Sequence, residues 1–291
     1  MKCNLCPRKC NIDRSASIGA CGVSDKIKVA KIMVHNWEEP CISGTRGSGA
    51  IFFSGCSLKC AYCQNRDISH GCLGYELTVN ELAEKMLELQ NMGVHNINLV
   101  TPTHYSDKIR LAIDLIKERL HIPVVYNTSG YELDTEIEKM RGYVDVFLTD
   151  IKYFSSDLSK KYSKAENYYE NAISAFGKML DITGKCVFDS DGIMLRGVIL
   201  RHLILPSCRH DSIKILKDVS EKYNINDFKL SLMSQYTPDF CDISFKELKR
   251  RITTFEYNSV LDVATELGYD GYIQDSSSAS AKYTPNFKEK E

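Results

Sequence analysis

The stretch Gly55-Cys56-Ser57-Leu58-Lys59-Cys60-Ala61-Tyr62-Cys63-Gln64-Asn65 places three cysteines at the spacing C-x3-C-x2-C. The apolar run Ala50-Ile51-Phe52-Phe53 directly before it predicts a buried β-strand. Three thiolates on one short loop can bind three irons of a cubic [4Fe–4S] cluster, because soft sulfur ligands suit iron. The fourth iron would then have no protein ligand from this loop and would be free to bind another molecule.

Two other uses of these cysteines compete with a cluster, namely a zinc site and simple burial as thiols. Structural zinc sites usually have four ligands in paired C-x2-C units, whereas this loop offers three ligands with one longer gap. A disulfide framework is not expected in a long chain kept in a reducing compartment. The pattern therefore favours an iron–sulfur cluster with one open corner.

The same loop carries a family resemblance. Its spacing, with Tyr62 just before the last cysteine, resembles the signature of radical S-adenosylmethionine (SAM) enzymes. The sequence Cys63-Gln64-Asn65 is similar to the branch of pyruvate formate-lyase activating enzyme-like proteins. The resemblance covers roughly residues 1–272. It implies that the open iron chelates SAM, and that an electron from the cluster cleaves SAM to methionine and a 5′-deoxyadenosyl radical, which abstracts hydrogen from a substrate.

On the same resemblance, the substrate would be the glycine loop of a glycyl radical enzyme, and the electron donor a flavodoxin- or ferredoxin-type protein. Direct modification of a peptide or small metabolite stays open. So do two further hypotheses: a non-catalytic electron carrier or metal-binding protein that uses iron–sulfur or zinc, and a family member that binds SAM without cleaving it.

Composition sets the outer limits on function. The chain has 291 residues, of which 43% are hydrophobic and 26% charged, and its formal net charge is −1. This balance gives no electrostatic reason to expect nucleic acid or an acidic membrane as a partner. No apolar stretch approaches the ~20 residues of a transmembrane helix, and the first residues lack the apolar core of a signal peptide. These features, with twelve cysteines, predict a cytoplasmic protein.

Six apolar runs alternate with amphipathic helical segments, which is typical of a parallel sheet with right-handed crossovers. We predict an α/β fold, a partial (β/α)6 TIM-like barrel with a small N-terminal Cys-rich metal-binding extension. The predicted strands are 50–53, 96–100, 123–127, 144–149, 193–200 and 228–233. The predicted helices begin at the capping box Thr78/Glu81 and continue with 108–120, 158–181, 212–223 and 244–267, the last with a box at Ser244/Glu247.

The chain is expected to divide into the Cys-rich extension 1–49, the barrel 50–240, and a helical extension and tail 241–291. In the first segment four cysteines follow the spacing C-x2-C-x3-C-x10-C, which predicts a second metal site in a region too small to fold around a core. Zinc and iron–sulfur are both open. The residues are Cys3, Cys6, Cys10 and Cys21. The glycine-rich segment 38–49 is predicted to be a loop. The tail 276–291 is predicted to lie on the surface.

Polar residues follow the predicted strands, and in parallel barrels chemistry lies at these strand ends. Asp150 and Lys152 stand two apart on extended chain, so they point to one side and offer SAM one charge of each sign. The resemblance also assigns this Asp-x-Lys, and Arg201, to the SAM site. Asn127 and Ser129 are candidates for the ribose and Tyr62 for the adenine.

One segment departs from the family pattern. The Gly-Gly-Glu that usually binds the SAM ammonium is replaced by Thr101-Pro102-Thr103-His104. Thr101 and Thr103 can accept hydrogen bonds but supply no carboxylate. The less specific interpretation of these strand ends is also open: Asp150–Lys152 as an ordinary ion pair, and His104 and His202 as polar rim residues.

Overall fold

A single mixed sheet of ten strands organises the computed structural model, which describes residues 2–242, 244–274, 285 and 287. Along the sheet the strands run β10-β9-β8-β6-β5-β4-β2-β1-β3, and β7 pairs with β8. Seven neighbours, from β10 to β2, are parallel, while β1 and β3 add antiparallel pairs at one edge. The described strands do not close on themselves, so the predicted partial barrel is confirmed.

Six of these strands match the apolar runs of the sequence. The bounds in order are β1 Ile27–His35, β2 Ser48–Phe53, β3 Tyr75–Leu77, β4 Ile97–Val100, β5 Val124–Thr128, β6 Val146–Asp150, β7 Val187–Phe188, β8 Met194–Leu203, β9 Lys229–Met233 and β10 Gly271–Ile273. The six predicted strands correspond to β2, β4, β5, β6, β8 and β9. The extension predicted to end at residue 49 thus contributes β1 to the same sheet, and the domain boundaries themselves stay a prediction.

The α-helices of the described chain lie on both faces of the sheet, and all but the first two pack in the cluster on its outer face. They are α1 Pro40–Ser43, α2 Arg66–Ser69, α3 Val79–Asn91, α4 Ser106–Ile116, α5 Asp134–Glu138, α6 Ser156–Ser163, α7 Tyr168–Thr183, α8 Arg209–Lys222 and α9 Thr254–Glu266. The capping box at Thr78 and Glu81 is confirmed at the start of α3. The predicted single helix 158–181 is two helices, because Lys164 adopts a left-handed conformation between them.

The predicted helix start at Ser244 is wrong. Ser244 donates its hydroxyl to Asp242 (2.9 Å), and Glu247 accepts from Tyr162 (2.7 Å). The last helix begins ten residues later, where Thr253 and Glu256 form the capping box. Both Ser-x-x-Glu and Thr-x-x-Glu satisfy the sequence rule, and tertiary partners decide between them.

The inner face of the sheet is the face opposite helices α3 to α9. The segment between β1 and β2 fills part of it. Its residues Cys41 and Ile42, on the short helix α1, pack in one cluster with inner-face residues Val125, Leu148 and Ile199. Hence the segment predicted as an open loop contains a helical turn that plugs this side of the barrel. Burying these side chains contributes about 1.5–3 kcal/mol each.

The N-terminal lobe, residues 2–24, is fixed to the barrel by two arginines. Arg8 donates to the carbonyls of Ser57 (2.8 Å), Ser163 (2.8 Å) and Lys164. Arg14, only 5% exposed, donates to the carbonyl of His104 (2.5 Å). Guanidinium groups can satisfy several carbonyls at once, so each arginine ties two chain segments together.

At the other end of the chain, most of the predicted surface tail 276–291 lies outside the described residues. Phe287, which is described, packs edge-on against Phe52 of β2, with ring centroids 5.4 Å apart. Within the described part of the chain, no helix has the length and apolar character needed to cross a bilayer.

Candidate active site

A cavity of about 220 Å³ opens at the carboxyl ends of the parallel strands, on the inner face. The three cysteines of the loop 55–65 line it together with charged and polar strand-end residues. Seven of the eight residues predicted to bind SAM are among its lining residues, namely Tyr62, Thr101, Asn127, Ser129, Asp150, Lys152 and Arg201. The fold therefore brings together, from five separate chain segments, residues up to 145 positions away from the cluster loop.

Backbone contacts hold the cysteine loop in place from two sides. Gly55 has φ +87°, and a Cβ there would stand 2.9 Å from the carbonyl oxygen of Cys21, so glycine is needed where the loop passes the N-terminal lobe. The Cys56 N–H donates to that same carbonyl (3.0 Å), and the Ala61 N–H donates to the Tyr162 carbonyl (2.7 Å). The loop is thus preorganised by neighbours in both directions along the chain.

Cys60 of this loop is buried, and Cys56 and Cys63 are half-buried. Burial raises the pKa of Cys56 and raises that of Cys63 to about 12, and the neighbouring Cys60 adds to both. Cys63 also accepts a hydrogen bond from the Ser69 hydroxyl (3.3 Å). Metal binding would displace the thiol protons, because thiolates are the ligating form.

The donor set fits three corners of a [4Fe–4S] cluster. Among the described residues that line the cavity, Cys56, Cys60 and Cys63 are the only cysteines. No three described His, Cys, Asp or Glu side chains stand close enough to enclose a single metal ion. A four-iron cluster places its cysteine ligands on different irons, so its thiolates need not converge on one point.

Opposite the cysteine loop, Asp150 lies between two cations. Its carboxylate accepts from Lys152 Nζ (2.5 Å) and from Arg201 Nε (2.9 Å). Burial by itself would raise the pKa of Asp150, but Arg201 and Lys152 together bring it below its usual value. Asp150 correspondingly raises the pKa of Lys152 against the effect of burial. All three groups therefore carry their charges in a region where water is largely excluded.

The family model for the Radical SAM superfamily matches residues 50–194, which contain the cysteine loop, Asp150 and Lys152. The chain belongs to the radical SAM superfamily. Membership implies a [4Fe–4S] cluster and SAM, and the general radical SAM reaction; Cys56, Cys60 and Cys63 are the cysteines whose spacing and position suit that cluster.

The chain is also similar to individual proteins. An uncharacterized protein of Methanocaldococcus jannaschii is 26% identical over 281 residues, 92% of this chain and 75% of that protein. The pyruvate formate-lyase-activating enzyme of Clostridium pasteurianum is 31% identical over 111 residues, 37% of this chain and 46% of the enzyme. A crystal structure of methylornithine synthase aligns with a TM-score of 0.47 at 16% identity, covering 72% of this chain and 59% of that one.

Two of the segments that follow strands of the sheet have residues with a positive φ angle. Gly130 has φ +77°, and a Cβ there would lie 2.0 Å from the carbonyl oxygen of Asp150, so only glycine lets these two loops approach. Tyr168 reinforces the junction by donating to the Ser129 carbonyl (2.7 Å) and accepting from the Lys152 N–H (2.9 Å). Thr101, in the segment that replaces Gly-Gly-Glu, has φ +61°, a costly conformation for a β-branched residue.

Thr103 is the one residue predicted to bind SAM that does not line the cavity. Its buried hydroxyl donates to Glu132 (2.5 Å), and it is not among the lining residues of the cavity. His104 and His202, interpreted as rim residues, are instead buried. His104 contacts the Ser54 carbonyl (2.8 Å), and His202 bridges the Ile151 carbonyl and the Ser212 hydroxyl. The polar strand-end pattern located these residues but not the direction of their side chains.

Tyr62 anchors an aromatic group beside the cysteine loop. Its ring meets those of Tyr153, Tyr162 and Tyr236 edge-on, with centroids 6.1–6.4 Å apart. Edge contacts of this kind stabilise a fixed ring position, each by about 0.5–1.5 kcal/mol beyond burial. Tyr62 therefore presents a rigid apolar surface to the cavity.

Glu38 also lines the cavity, and the sequence reasoning missed it. Its carboxylate accepts from Asn98 (3.1 Å), Asn127 (3.1 Å) and Arg201 (3.3 Å). A signal was present, since only Pro40 separates the pair Glu38-Glu39 from the apolar residues Cys41 and Ile42. Acidic side chains are rarely buried unless they are paired, so an acidic pair beside a buried turn is a candidate for a functional role.

The four N-terminal cysteines are gathered in the lobe above the cysteine loop. The Ala20 N–H donates to Cys10 Sγ (3.4 Å), and a Cβ on Gly19 would lie 3.4 Å from Cys21 Sγ and 3.8 Å from Cys10 Sγ. Burial raises the pKa of Cys6 to about 12, with smaller contributions from Cys21 and Cys10, and Cys3 acts similarly on Cys21. N–H···S contacts of this kind are compatible with thiolate ligands.

Proposed function

We propose that this radical SAM protein cleaves SAM reductively in the cavity between the cysteine loop and the Asp150–Lys152–Arg201 group, and uses the product to abstract hydrogen from a bound substrate. The observation that carries the proposal is that both groups line one cavity. The cluster, when bound, supplies the electron that breaks the carbon–sulfur bond of SAM. The chain's own residues supply position, charge and exclusion of water.

Each lining residue has a role suited to its chemistry. Lys152 provides a cation for the SAM carboxylate, and Asp150 keeps Lys152 and Arg201 charged and oriented. Asn127 and Ser129 offer polar partners for the ribose. Tyr62, held by its aromatic neighbours, offers the surface for the adenine.

The direct test is product formation by anaerobically purified protein. SAM and dithionite should yield 5′-deoxyadenosine, and Cys60→Ala should abolish it while the matched substitution Cys186→Ala, at a cysteine that does not line the cavity, leaves it in place. No 5′-deoxyadenosine from protein with a full iron and sulfide content would contradict the proposal. That result would favour an electron carrier or a SAM-binding protein without cleavage.

We further propose that the substrate is a glycine residue in a partner glycyl radical enzyme, with a flavodoxin- or ferredoxin-type protein as the electron donor. The support is the partial similarity to a pyruvate formate-lyase-activating enzyme. A glycine-centred radical on the partner, seen by electron paramagnetic resonance after incubation with SAM, would establish it. Modification of a small metabolite or peptide instead would leave the partner without this signal while 5′-deoxyadenosine still forms.

The N-terminal lobe is proposed to hold a second metal, either zinc or an iron–sulfur cluster. Support comes from the four neighbouring thiols and from their separation from the cavity, which none of them lines. Zinc would require the four sulfurs to move closer around one ion, because no three described side chains of the ligating types stand close enough to enclose one, whereas a cluster would not. Metal and sulfide analysis of Cys10→Ala against the parent protein distinguishes the two, and unchanged contents would contradict both.

A further inference from the structure

One cysteine of the cluster loop has a side-chain hydrogen-bond donor beside its sulfur. The Ser69 hydroxyl lies 3.3 Å from Cys63 Sγ and donates to it. Cys56 Sγ, in comparison, accepts from the backbone N–H of Leu58 (3.4 Å). A backbone N–H is present whatever the side chain, whereas the hydroxyl depends on the residue at position 69. Ser69 is therefore a position where the amino-acid sequence can adjust the surroundings of a bound cluster.

Ser69 is held in place by the short helix α2. Its N–H donates to the Asn65 carbonyl (2.9 Å), and the carbonyl of the preceding residue, Ile68, accepts from the Gly55 N–H (2.9 Å). Ile68 packs in a buried cluster with Phe52 of β2. The helix thus returns the chain to the start of the cysteine loop. The Ser69 side chain, only 6% exposed, lines the cavity there in a fixed position.

A second contact of Ser69 determines where its proton points. His70 Nδ1 lies 2.9 Å from Ser69 Oγ. Serine has one hydroxyl proton, so it can donate to one neighbour at a time. If His70 Nδ1 carries a proton, it donates to Ser69 while the hydroxyl donates to Cys63. If Nδ1 carries none, only one of the two hydrogen bonds can form. The arrangement that satisfies both contacts therefore directs the serine proton to the sulfur.

A donor beside a ligand sulfur affects the two redox states of a cluster unequally. Burial raises the pKa of Cys63 to about 12, and the Ser69 hydroxyl acts in the opposite direction because it favours the thiolate. A cluster reduced by one electron carries one more negative charge, so the same donor stabilises the reduced form more than the oxidised form. Hydrogen bonds to the sulfurs are accordingly among the features that set the reduction potential of iron–sulfur clusters.

We propose that Ser69 is a positioning residue that acts through Cys63: its hydroxyl, by donating to Cys63 Sγ, raises the reduction potential of the cluster. The inference deepens the proposed function and rests on it for the presence of the cluster. At a higher potential, a given electron donor reduces a larger fraction of the cluster. Ser69 therefore helps to determine which reductants can drive the protein.

The test is a redox titration of anaerobic protein with its cluster bound and without SAM, followed by electron paramagnetic resonance. The signal of the cavity cluster is the one that Cys60→Ala lacks. We expect Ser69→Ala to lower the ratio of reduced to oxidised cluster at a fixed potential by about three- to tenfold. This is a fall of about 30–60 mV in the midpoint potential, since tenfold corresponds to about 59 mV for one electron.

The matched control is Ser212→Ala. Ser212 is also a buried serine whose hydroxyl contacts a histidine, His202 Nε2 at 2.8 Å, and it does not line the cavity. We expect its replacement to leave the midpoint potential unchanged. Should Ser69→Ala fail to bind a cluster, Ser69→Gly takes its place, because it also lacks the hydroxyl.

Two further variants separate the hydroxyl from the packing at this position. Ser69→Thr keeps a hydroxyl, so its potential should lie closer to that of the parent than to that of Ser69→Ala. His70→Ala keeps Ser69 and removes the ring that donates to it, so the potential should fall by less than in Ser69→Ala. A higher potential in His70→Ala would mean that the serine proton points to the imidazole in the parent, and would overturn the proposal.

The proposal is also overturned if Ser69→Ala has the potential of the parent, or if Ser212→Ala or Ser69→Thr lowers the potential as much as Ser69→Ala does. The titration contains no SAM, so its result is independent of turnover. A lowered potential in Ser69→Ala, together with a parent protein that forms no 5′-deoxyadenosine, would contradict the proposed function and leave the role of Ser69 standing. Equal potentials in a protein that forms 5′-deoxyadenosine would do the reverse.

Discussion

The two cysteine groups of this protein differ in what surrounds them. Cys56, Cys60 and Cys63 line a cavity that also contains charged strand-end residues. The four cysteines of the N-terminal lobe do not line this cavity, and the lobe is held to the barrel by arginine contacts. The first group is open toward a ligand in the cavity and the second lies apart from it, although both have closely spaced thiols.

Because of this difference, the first cysteine group is suited to catalysis and the second to structural support. A thiol set that shares a cavity with Lys152 and Asp150 can hold a metal next to a polar ligand. A thiol set that does not line this cavity can stabilise the lobe or exchange electrons, and it lies apart from the residues that would hold SAM. The lobe is nevertheless connected to the site, because the Cys21 carbonyl accepts from the Cys56 N–H.

The largest expected effect comes from removing one thiol in each group. In Cys60→Ala we expect 5′-deoxyadenosine formation to fall to the level without enzyme, because the cluster loses a corner ligand. In Cys10→Ala we expect most of this activity to remain and the metal content of the lobe to fall instead. Anaerobic product analysis and metal analysis of the two variants test this; equal loss of activity would show that the lobe is part of the catalytic machinery.

A second test uses the acid stability of the contact between lobe and barrel. His104 is buried, and burial lowers its pKa to about 3, while Nδ1 has no partner within the described chain. The unfolded chain binds a proton near pH 6.5 that the folded protein does not, so stability falls as the pH decreases from about 6.5 toward 3. The loss attributable to His104 should reach about 3 kcal/mol near pH 4.

Replacing His104 with glutamine keeps a donor for the Ser54 carbonyl and removes the titration. We therefore expect urea unfolding of His104→Gln to depend less on pH between 4 and 6.5 than that of the parent protein. His202→Gln is the matched comparison, because it replaces a second buried histidine whose pKa is also lowered by burial. Parallel pH profiles for His104→Gln and the parent would contradict this account.

Arg14 provides a third and smaller effect. It donates to the His104 and Ser24 carbonyls and lies over the Tyr105 ring, 5.4 Å from its centroid. Arg14→Ala should cost about 2 kcal/mol of unfolding free energy, because two charge-assisted hydrogen bonds and a cation–π contact are lost. Limited proteolysis should then cut the lobe faster than the barrel. Unchanged proteolysis of the lobe would show that its other contacts, from Arg8 and the Cys21 carbonyl, fix it without Arg14.

The sequence was sufficient to predict those features of the fold and the site that depend on local sequence pattern. The apolar runs located β2, β4, β5, β6, β8 and β9 to within three residues at either end, because buried parallel strands are continuously apolar. The short strand β3, Tyr-Glu-Leu, has no such pattern and is fixed only by pairing with β1. Side-chain type and strand-end position likewise predicted that Asp150 and Lys152 belong near the cysteine loop, and the family resemblance added Arg201.

What pattern could not supply is the direction in which polar side chains turn. Thr103 follows a strand end like Thr101, yet its hydroxyl is drawn to Glu132 rather than to the cavity. Glu38 precedes the barrel and enters it from the plug, a placement that depends on Cys41 and Ile42 packing against the inner face. Both outcomes arise from contacts between residues more than 25 positions apart.

The smallest expected effect concerns the backbone of Thr101, which has a left-handed φ of +61°. A β-branched residue in this conformation costs about 1–2 kcal/mol, of which glycine would recover part, since its greater freedom in the unfolded chain offsets up to about 1 kcal/mol. Thr101→Gly should therefore raise the unfolding free energy by about 0.5–1 kcal/mol, and Thr101→Ala, which retains a Cβ, should not. A loss of stability in Thr101→Gly would mean that the threonine hydroxyl, rather than the backbone, is what this strand end requires.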